Sequence, residues 1–267
     1  MEFLDLGGAK LEYRRWPGEG KTGLVLLHEG LGSVSMWRDF PDRLRAASGC
    51  PVFAWSRRGY GGSSPAPAPW PVGYMHDEAR NWLPPVLAAT GFEKFVLIGH
   101  SDGASIATIY AGEQRNPALG GLVLMAPHFF VEDVSVASIA AAREAYEAGD
   151  LKRRLARHHG DNVDGAFRGW NRIWLDPAFR DWDIQALLPK VQVPTLIIQG
   201  ADDEYGTLAQ VEAAQAAMSA PLTTAVLPRC RHSPHRDQPE ATLEAIVAFL
   251  SGLVSQNAAS TGDSPAC

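Results

Sequence analysis

The strongest constraint on the fold is a repeated alternation of short, wholly apolar runs with longer stretches of helical pattern. The apolar runs cover residues 24–28, 51–55, 95–99, 121–126, 195–199 and 223–227, and helical patterns lie near 36–47, 76–90, 101–115, 207–219 and 239–253. Runs without an alternating polar face are typical of strands buried on both sides of a sheet. A hairpin around Gly7-Gly8, with strands over 3–6 and 11–16, brings the expected total to eight strands. This rhythm predicts a doubly wound, mainly parallel α/β sheet.

The rhythm breaks over one long stretch, which we interpret as an insertion. Helical sequence over 138–155 is followed there by an aromatic-rich run, and no strand-like run interrupts the stretch. After residue 254 the chain becomes small and polar, which is typical of disorder. We therefore predict an α/β core formed by residues 1–129 and 191–254, a helical cap insertion over 130–190, and a disordered tail over 255–267.

The charge and composition exclude several classes of protein. The 267 residues carry 24 Lys and Arg against 30 Asp and Glu, a net charge of −6, and no block of basic residues. Such a chain has little attraction for polyanions, so we expect neither nucleic acid nor a membrane as a partner. No apolar run approaches the roughly 20 residues of a membrane-spanning helix, and the N-terminus lacks the pattern of a secretory signal. With only three cysteines, the protein is predicted to be cytoplasmic and without a disulfide framework.

A candidate nucleophile lies where the third apolar run meets the following helix. Residues 99–103 read Gly-His-Ser-Asp-Gly, a G-x-S-x-G pattern between a predicted strand and a predicted helix. In this context the serine occupies a sharp, strained turn that lifts its hydroxyl above the sheet, and small flanking residues permit that turn. The helix that follows contributes free N–H groups and the positive end of its dipole. We therefore predict Ser101 as a nucleophile.

The loops after the last two predicted strands contain the other groups that a serine nucleophile requires. A serine hydroxyl needs a base, and the base needs an orienting acid. Residues 200–204 read Gly-Ala-Asp-Asp-Glu, and residues 229–235 contain His232 and His235. From position alone, either Asp202 or Asp203 can serve as the acid.

The sequence resembles the serine hydrolases of the α/β-hydrolase superfamily over about residues 2–254. The resemblance rests on residues 28–33, 56–63, 99–103, 200–203, and 232 with 238–240. It implies an α/β-hydrolase fold with a helical cap, and the chain order of serine, acid and histidine matches that fold. The family's G-x-x-D pattern implies Asp203 as the catalytic acid, with Asp202 as the alternative. The Asp-Gln-Pro-Glu stretch over 237–240 resembles the start of the family's last helix, which selects His232 as the base.

The resemblance also implies an oxyanion hole. By position, the backbone N–H groups of Gly30 and Asp102 donate to the developing negative charge. The family pattern at the first position begins His-Gly, whereas this chain reads His-Glu-Gly over 28–30. Glu29 therefore has two possible roles: it pairs with an arginine or bonds turn amides, or it recognises a cationic group of the substrate. A second departure is Ser56, where the family commonly has Asp, in a loop to which we assign a structural role.

Candidate substrate contacts come from the cap and from the end of a core strand. Trp170 and Trp174 lie in the aromatic-rich part of the insertion, where they either pack against the core or line a cavity beneath the cap. His128 and Phe129 follow the apolar run that ends at residue 126, and such strand ends face the site in a parallel α/β sheet. Together with Glu29, these residues form the predicted substrate-binding set.

A metal site is also considered, because Cys230, His232 and His235 are close in the sequence. Their spacing is compressed, Pro234 interrupts it, and no second pair of ligands accompanies them. We therefore predict neither a metal nor a cofactor.

These observations predict a cofactor-free serine hydrolase that forms an acyl-enzyme on Ser101. The serine argues against relatives whose ester intermediate forms on an aspartate. The aromatic surroundings favour a small acyl or aryl substrate, with a carboxylic ester or a lactone as the central hypothesis. Two other reactions stay open, hydrolysis of an acyl-CoA thioester and C–C bond hydrolysis in aromatic catabolism. A role as a small-molecule receptor with a slow triad also stays open.

Overall fold

The central sheet contains eight strands within residues 2–261, which are the residues that the computed structural model describes. The strands are β1 Glu2–Leu6, β2 Ala9–Trp16, β3 Thr22–Leu27, β4 Val52–Trp55, β5 Lys94–His100, β6 Leu119–Met125, β7 Thr195–Gly200 and β8 Leu222–Leu227. Their spatial order is β1-β2-β4-β3-β5-β6-β7-β8. The β1–β2 and β2–β4 pairs are antiparallel, and all the other pairs are parallel. This topology confirms the predicted mainly parallel sheet, including its N-terminal hairpin.

Helices connect the strands and cover the sheet. They are α1 Phe40–Ser48, α2 Tyr74–Asp77, α3 Leu83–Thr90, α4 Asp102–Glu113, α5 Asp133–Glu147, α6 Leu151–His159, α7 Val163–Trp174, α8 Ala209–Ala217, α9 Pro234–Asp237 and α10 Pro239–Thr261. A π-helical turn, Glu78–Trp82, joins α2 to α3, and short 3₁₀ segments lie at Val34–Trp37, Gly160–Asn162, Pro177–Phe179 and Gln185–Lys190. Across the described part of the chain, no helix is both long and apolar enough to cross a membrane.

Strand β3 shows why the apolar runs lack polar alternation. Leu24 and Leu26 belong to an apolar cluster on one side of the sheet, which also contains Trp37. Val25 and Leu27 belong to the cluster on the other side. All four strand residues are fully buried, and burying a side chain of this size contributes roughly 1.5–3 kcal/mol. Because both faces are covered, both sets of positions are apolar.

Three helices, α5, α6 and α7, occupy the stretch between β6 and β7. The helical pattern over 138–155 is divided there, because Gly149 and Asp150 lie between α5 and α6. Glycine destabilises a helix interior, and aspartate is favoured at the position just before a helix, so the break has a local cause. The carboxylate of Asp150 also pairs with Arg154 in the first turn of α6, at 3.2 Å.

The last helix extends beyond the predicted end of the core. Helix α10 continues through residues 255–261, where the sequence predicts the start of a disordered tail. No proline or glycine occurs over 253–261, and an existing helix propagates with one hydrogen bond for each added residue. The remainder of the predicted tail, 262–267, lies outside the described residues.

Candidate active site

Ser101 lies at the turn between β5 and α4 in a backbone conformation that is unusual for a residue with a side chain. Its φ is 52° and its ψ is −119°, and such strain persists only where the surroundings enforce it. A Cβ atom on Gly99 would lie 2.4 Å from the carbonyl oxygen of Gly103. A Cβ atom on Gly103 would lie 2.1 Å from the carbonyl oxygen of Leu27. The two glycines are therefore required by the close packing of β3, β5 and α4.

A cavity of about 180 Å³ contains most of the predicted site residues in its lining. Those residues are Glu29, Gly30, Ser101, Asp102, His128, Trp170, Trp174 and His232. Its volume is below the range that is common for drug-sized ligands. The cavity is therefore suited to a compact substrate group.

His232 and Asp203 form a close pair beside this cavity. Nδ1 of His232 lies 2.8 Å from Oδ1 and 2.9 Å from Oδ2 of Asp203. The carboxylate also accepts hydrogen bonds from the backbone N–H of Tyr205 at 2.8 Å and from the side-chain amide of Gln199 at 2.7 Å. A carboxylate in this position favours the tautomer with hydrogen on Nδ1, which leaves Nε2 able to act as a base.

The surroundings of Asp203 keep its carboxylate ionised. Burial alone raises the pKa of Asp203, but the hydrogen bond and charge of His232 and the N–H of Tyr205 outweigh burial and lower that pKa below its ordinary value. Asp202 is exposed, and its backbone N–H donates to the carbonyl of Cys230 at 2.9 Å. The structure thus brings Asp203, and not Asp202, to the imidazole.

Ser101 and His232 line the same cavity. No hydrogen bond joins the Ser101 hydroxyl to the imidazole within residues 2–261. Catalytic hydrogen bonds are often long before substrate binds and tighten in the complex. The arrangement therefore provides a serine, a base and an orienting acid around one cavity.

The backbone amides of Gly30 and Asp102 are available as oxyanion donors, since neither has an acceptor within the described residues. Asp102 is the first residue of α4, so its N–H has no partner one turn earlier in that helix. Gly30 lies in the turn after β3, where a Cβ atom would lie 2.2 Å from Nε1 of Trp170. Trp170 therefore packs directly on the turn that carries the first donor.

Glu29 directs its carboxylate toward His100 and Arg236. Oε2 lies 3.3 Å from Nδ1 of His100, and Oε1 lies 3.4 Å from Nη2 of Arg236. Burial alone raises the pKa of Glu29, but the hydrogen bond from His100 and the charges of both partners lower it well below its ordinary value. Glu29 is thus an ionised carboxylate beside an arginine, as in the first of its two possible roles.

His100, the residue before the candidate nucleophile, connects Glu29 to the loop of the candidate base. Its Nε2 lies 2.7 Å from the backbone oxygen of His232. The two partners of the ring, the carboxylate of Glu29 and the carbonyl of His232, are both hydrogen-bond acceptors. Sequence reasoning missed His100 because the variable positions of G-x-S-x-G carry no chemical pattern. The departure at Glu29 was the only signal pointing to this network.

The side chain of Asp102 is buried and contacts two other segments of the chain. The Tyr74 hydroxyl donates to its Oδ2 at 2.5 Å, and Nη2 of Arg57 lies 3.7 Å from the same atom. Nε1 of Trp174 donates in turn to the Tyr74 hydroxyl at 3.1 Å. Burial raises the pKa of Asp102, while Arg57 and Tyr74 oppose that rise. Tyr74 and Arg57 were not predicted, since the tertiary contact that links them to Asp102 has no local sequence signal.

The structure separates the two residues predicted at the end of β6. His128 lines the cavity and packs edge-on against Trp174, with ring centroids 5.0 Å apart. Burial lowers the pKa of His128 to about 3, so its ring is neutral at physiological pH. Phe129 instead lies in the apolar core, and its N–H donates to Oε1 of Gln210 at 2.7 Å. Phe129 is fully buried and is not among the residues that line the cavity, which corrects the prediction that it contacts substrate.

The residues that suggested a metal site face different surroundings. His232 faces Asp203, whereas His235 packs on Trp37 with ring centroids 5.0 Å apart. Cys230 is fully buried. Over residues 2–261, no group of three or more His, Cys, Asp or Glu side chains is arranged to hold a metal.

Comparisons with known proteins agree with this geometry. A model described as the alpha/beta hydrolase family matches residues 24–245. The human serine hydrolase BPHL is 28% identical over 207 residues, which cover 74% of this chain and 68% of that protein. N-formylmaleamate deformylase of Pseudomonas putida is 26% identical over 217 residues, covering 73% and 76%. The crystal structure of VinJ matches with a TM-score of 0.74 at 26% identity, covering 94% of this chain and 98% of VinJ.

The family model spans most of the chain, and the solved structure covers nearly all of it. The strained serine turn and the sheet topology are those that the sequence resemblance implies. The chain therefore belongs to the α/β-hydrolase family.

Proposed function

We propose that this protein is a cofactor-free serine hydrolase that cleaves small carboxylic esters or lactones, with Ser101, His232 and Asp203 as its triad. The observation that carries the proposal is the His232–Asp203 pair, at 2.8 Å, beside the cavity that the strained Ser101 also lines. The name of BPHL, a serine hydrolase that is 28% identical, supports the same chemistry.

In the acylation step, Nε2 of His232 accepts the hydroxyl proton of Ser101 while Oγ attacks the substrate carbonyl carbon. The resulting oxyanion accepts hydrogen bonds from the amides of Gly30 and Asp102, each worth about 10²–10³ in rate. The bond from carbon to the leaving oxygen then breaks, and His232 gives its proton to that oxygen. Asp203 holds the imidazole and stabilises its positive charge.

In the deacylation step, His232 takes a proton from water, and the hydroxide oxygen attacks the carbonyl carbon of the acyl-enzyme. The same amides bind the second oxyanion. The ester bond to Oγ breaks, Ser101 recovers its proton from His232, and a carboxylic acid leaves. The cycle needs only water as a co-reactant.

The cavity supports the proposed substrate class. Its volume of about 180 Å³ and its aromatic lining, which includes Trp170, Trp174 and Tyr205, favour a compact acyl or aryl group. Within residues 2–261, Cys50 and Cys230 are free thiols, which supports a cytoplasmic location because reduced cysteines are the norm in that compartment.

The test is turnover on a panel of substrates by the wild type and by Ser101→Ala. The panel contains p-nitrophenyl acetate, butyrate and octanoate, a small lactone, an acyl-CoA thioester and an aromatic ring-cleavage diketo acid. We expect the wild type to release a burst of p-nitrophenol equal to the enzyme concentration, and Ser101→Ala to lose activity.

Each other result has a defined meaning. Preference for the thioester or for the diketo acid replaces the ester proposal with one of the two other reactions. Equal turnover by Ser101→Ala contradicts the assigned nucleophile. Binding of small aryl compounds without turnover of any substrate supports a receptor instead.

A further inference from the structure

A second cavity lies next to the candidate active site, and Tyr74 in its wall forms a hydrogen bond with a residue of that site. This cavity, which we call the Tyr60 cavity, has a volume of about 120 Å³. Tyr74 lines it, and the hydroxyl of Tyr74 donates to Asp102 in the candidate site. Other lining residues include Arg57, Arg58, Tyr60, Trp70, Glu78 and Trp82. The proposed hydrolysis leaves this cavity without a role.

Arg57 supplies a buried cationic group with an unused donor. Only 1% of its surface is exposed. Nη2 donates to the backbone oxygen of Glu29 at 2.9 Å and lies 3.7 Å from Oδ2 of Asp102. Nε lies 3.5 Å from Nε2 of His28, whereas Nη1 has no hydrogen-bond partner among residues 2–261. A buried guanidinium donor without an acceptor is costly, so this end of Arg57 favours a ligand that accepts.

Tyr60 supplies a second buried donor beside the first. Its hydroxyl has no hydrogen-bond partner in the described part of the chain. The Arg57 guanidinium lies 5.0 Å from the centre of its ring, and the ring meets Trp70 edge-on with centroids 5.4 Å apart. These contacts hold the phenol ring in the wall of the Tyr60 cavity, where its hydroxyl is a buried donor without an acceptor.

Three more charged side chains, Arg58, Asp77 and Glu78, contribute to the wall of the Tyr60 cavity. Burial raises the pKa of Glu78 to about 7, although Arg57 opposes the rise and the charges of Asp77 and Asp102 add to it. Near neutral pH a large share of Glu78 is therefore a neutral acid, which donates a hydrogen bond as well as accepting one. Arg58 adds a further cation to the same wall.

We propose that the Tyr60 cavity binds a small monocarboxylate. The carboxylate oxygens accept from Nη1 of Arg57 and from the Tyr60 hydroxyl, and charge-assisted hydrogen bonds of this kind are strong. The apolar body of the ligand lies against the indole rings of Trp70 and Trp82. The volume of about 120 Å³ limits the ligand to the size of a benzoate. An ordered water is the alternative occupant, and it is one outcome of the test.

The test is isothermal titration of benzoate into the full chain carrying Ser101→Ala, so that binding is measured whether or not the protein is a hydrolase. We expect benzoate to bind at one site per chain. Tyr60→Phe is expected to weaken this binding about tenfold, because it removes one hydrogen bond to a charged group. Ile139→Ala, in the lining of the candidate active site, is the matched control and leaves the affinity unchanged. Benzoate binds more tightly than acetate because of the indole contacts.

The pH dependence provides a second, independent measurement. Ionised Glu78 repels a carboxylate, so binding weakens several-fold between pH 6 and pH 8, and Glu78→Gln removes this dependence. The charged and titratable groups that act on Glu78 are Arg57, Arg58, Asp77 and Asp102. The proposal is overturned if Ile139→Ala abolishes benzoate binding while Tyr60→Phe leaves it unchanged, because benzoate then occupies the active site. No binding heat from any variant also overturns the proposal, because benzoate then does not bind in the Tyr60 cavity.

Discussion

The choice between two adjacent carboxylates decides how the imidazole is oriented. Asp203 is held by His232, Tyr205 and Gln199, and the opposing effects on its pKa leave it ionised. Asp202 is exposed to solvent. Both follow the same strand, so position alone cannot distinguish them, and only the resemblance to the family's G-x-x-D pattern favours Asp203. The turn that aims one carboxylate inward is a tertiary feature.

We predict that Asp203→Asn lowers kcat by about 10⁴, because loss of the orienting acid leaves the imidazole in the wrong tautomer. Asp202→Asn is the matched control and changes kcat by less than about threefold, as expected for an exposed side chain. Both are measured with p-nitrophenyl butyrate, with circular dichroism to confirm folding. A large loss in Asp202→Asn with a small one in Asp203→Asn moves the assignment to Asp202.

A second prediction concerns Glu29, whose carboxylate neighbours His100 and Arg236. Glu29→Gln keeps the shape but removes the charge that His100 faces, and His100 in turn holds the backbone of His232. We expect kcat to fall about tenfold, with little change in KM, through the loss of one charged hydrogen bond.

The comparison that separates the two possible roles of Glu29 uses a neutral ester and an ester that carries an amine. Positioning through His100 predicts the same loss of kcat for both esters. A rise in KM for the amine-bearing ester alone contradicts this prediction and assigns Glu29 to recognition of a cationic group.

At the scale of elements, the strand–turn–helix unit around Ser101 is predictable because its requirements are local. The apolar run, the two glycines and the serine are neighbours in the sequence. Ser56 shows the opposite case, since its hydroxyl donates at 2.7 Å to Oε2 of Glu12 on β2. The N–H of Gly62 donates to the same oxygen at 2.8 Å. The carboxylate of Glu12, on a distant strand, thus forms hydrogen bonds with this loop. In the family, position 56 of the loop is commonly Asp.

We predict that Gly103→Ala lowers the free energy of unfolding by about 3 kcal/mol, because the new Cβ atom overlaps the backbone of β3. That atom would lie 2.1 Å from the Leu27 carbonyl oxygen. Gly165→Ala in α7 is the control, since its Cβ atom meets nothing within 4 Å. We expect the control to gain about 0.5–1 kcal/mol from helix propensity. Urea unfolding measures both, and equal stability of the two variants contradicts the packing requirement.

Helix α7 supplies the next prediction, since its Trp174 lines the cavity and also bonds Tyr74. Trp174→Ala enlarges the cavity and is expected to shift preference from acetyl toward octanoyl esters by about tenfold in relative kcat/KM. Phe179→Leu is the control, because Phe179 packs on Trp174 within the core. It is expected to lower stability without changing the preference. Lower stability with unchanged preference in Trp174→Ala would make Trp174 a core residue only.

At the scale of the whole molecule, the candidate site is assembled from loops at one edge of a parallel sheet. Gly30 follows β3, Ser101 follows β5, Asp203 follows β7 and His232 follows β8. The sequence predicts this convergence, because the carboxyl ends of parallel strands meet at the same edge. The role of His100 depends on contacts between distant segments, so no local pattern indicates it. The Tyr60 cavity is lined by one stretch, 57–82, but it forms only when that stretch folds back on itself. The division of the insertion into α5 and α6 is not predicted from the sequence for a different reason. One glycine is a weak signal within a strong helical pattern.

The central claim is that the fold activates Ser101 as a nucleophile, and intact-mass spectrometry after treatment with a fluorophosphonate tests it most directly. We predict a single adduct on the wild type and none on Ser101→Ala, because His232 and the oxyanion amides activate this hydroxyl alone. An adduct on both proteins, or on neither, contradicts the claim.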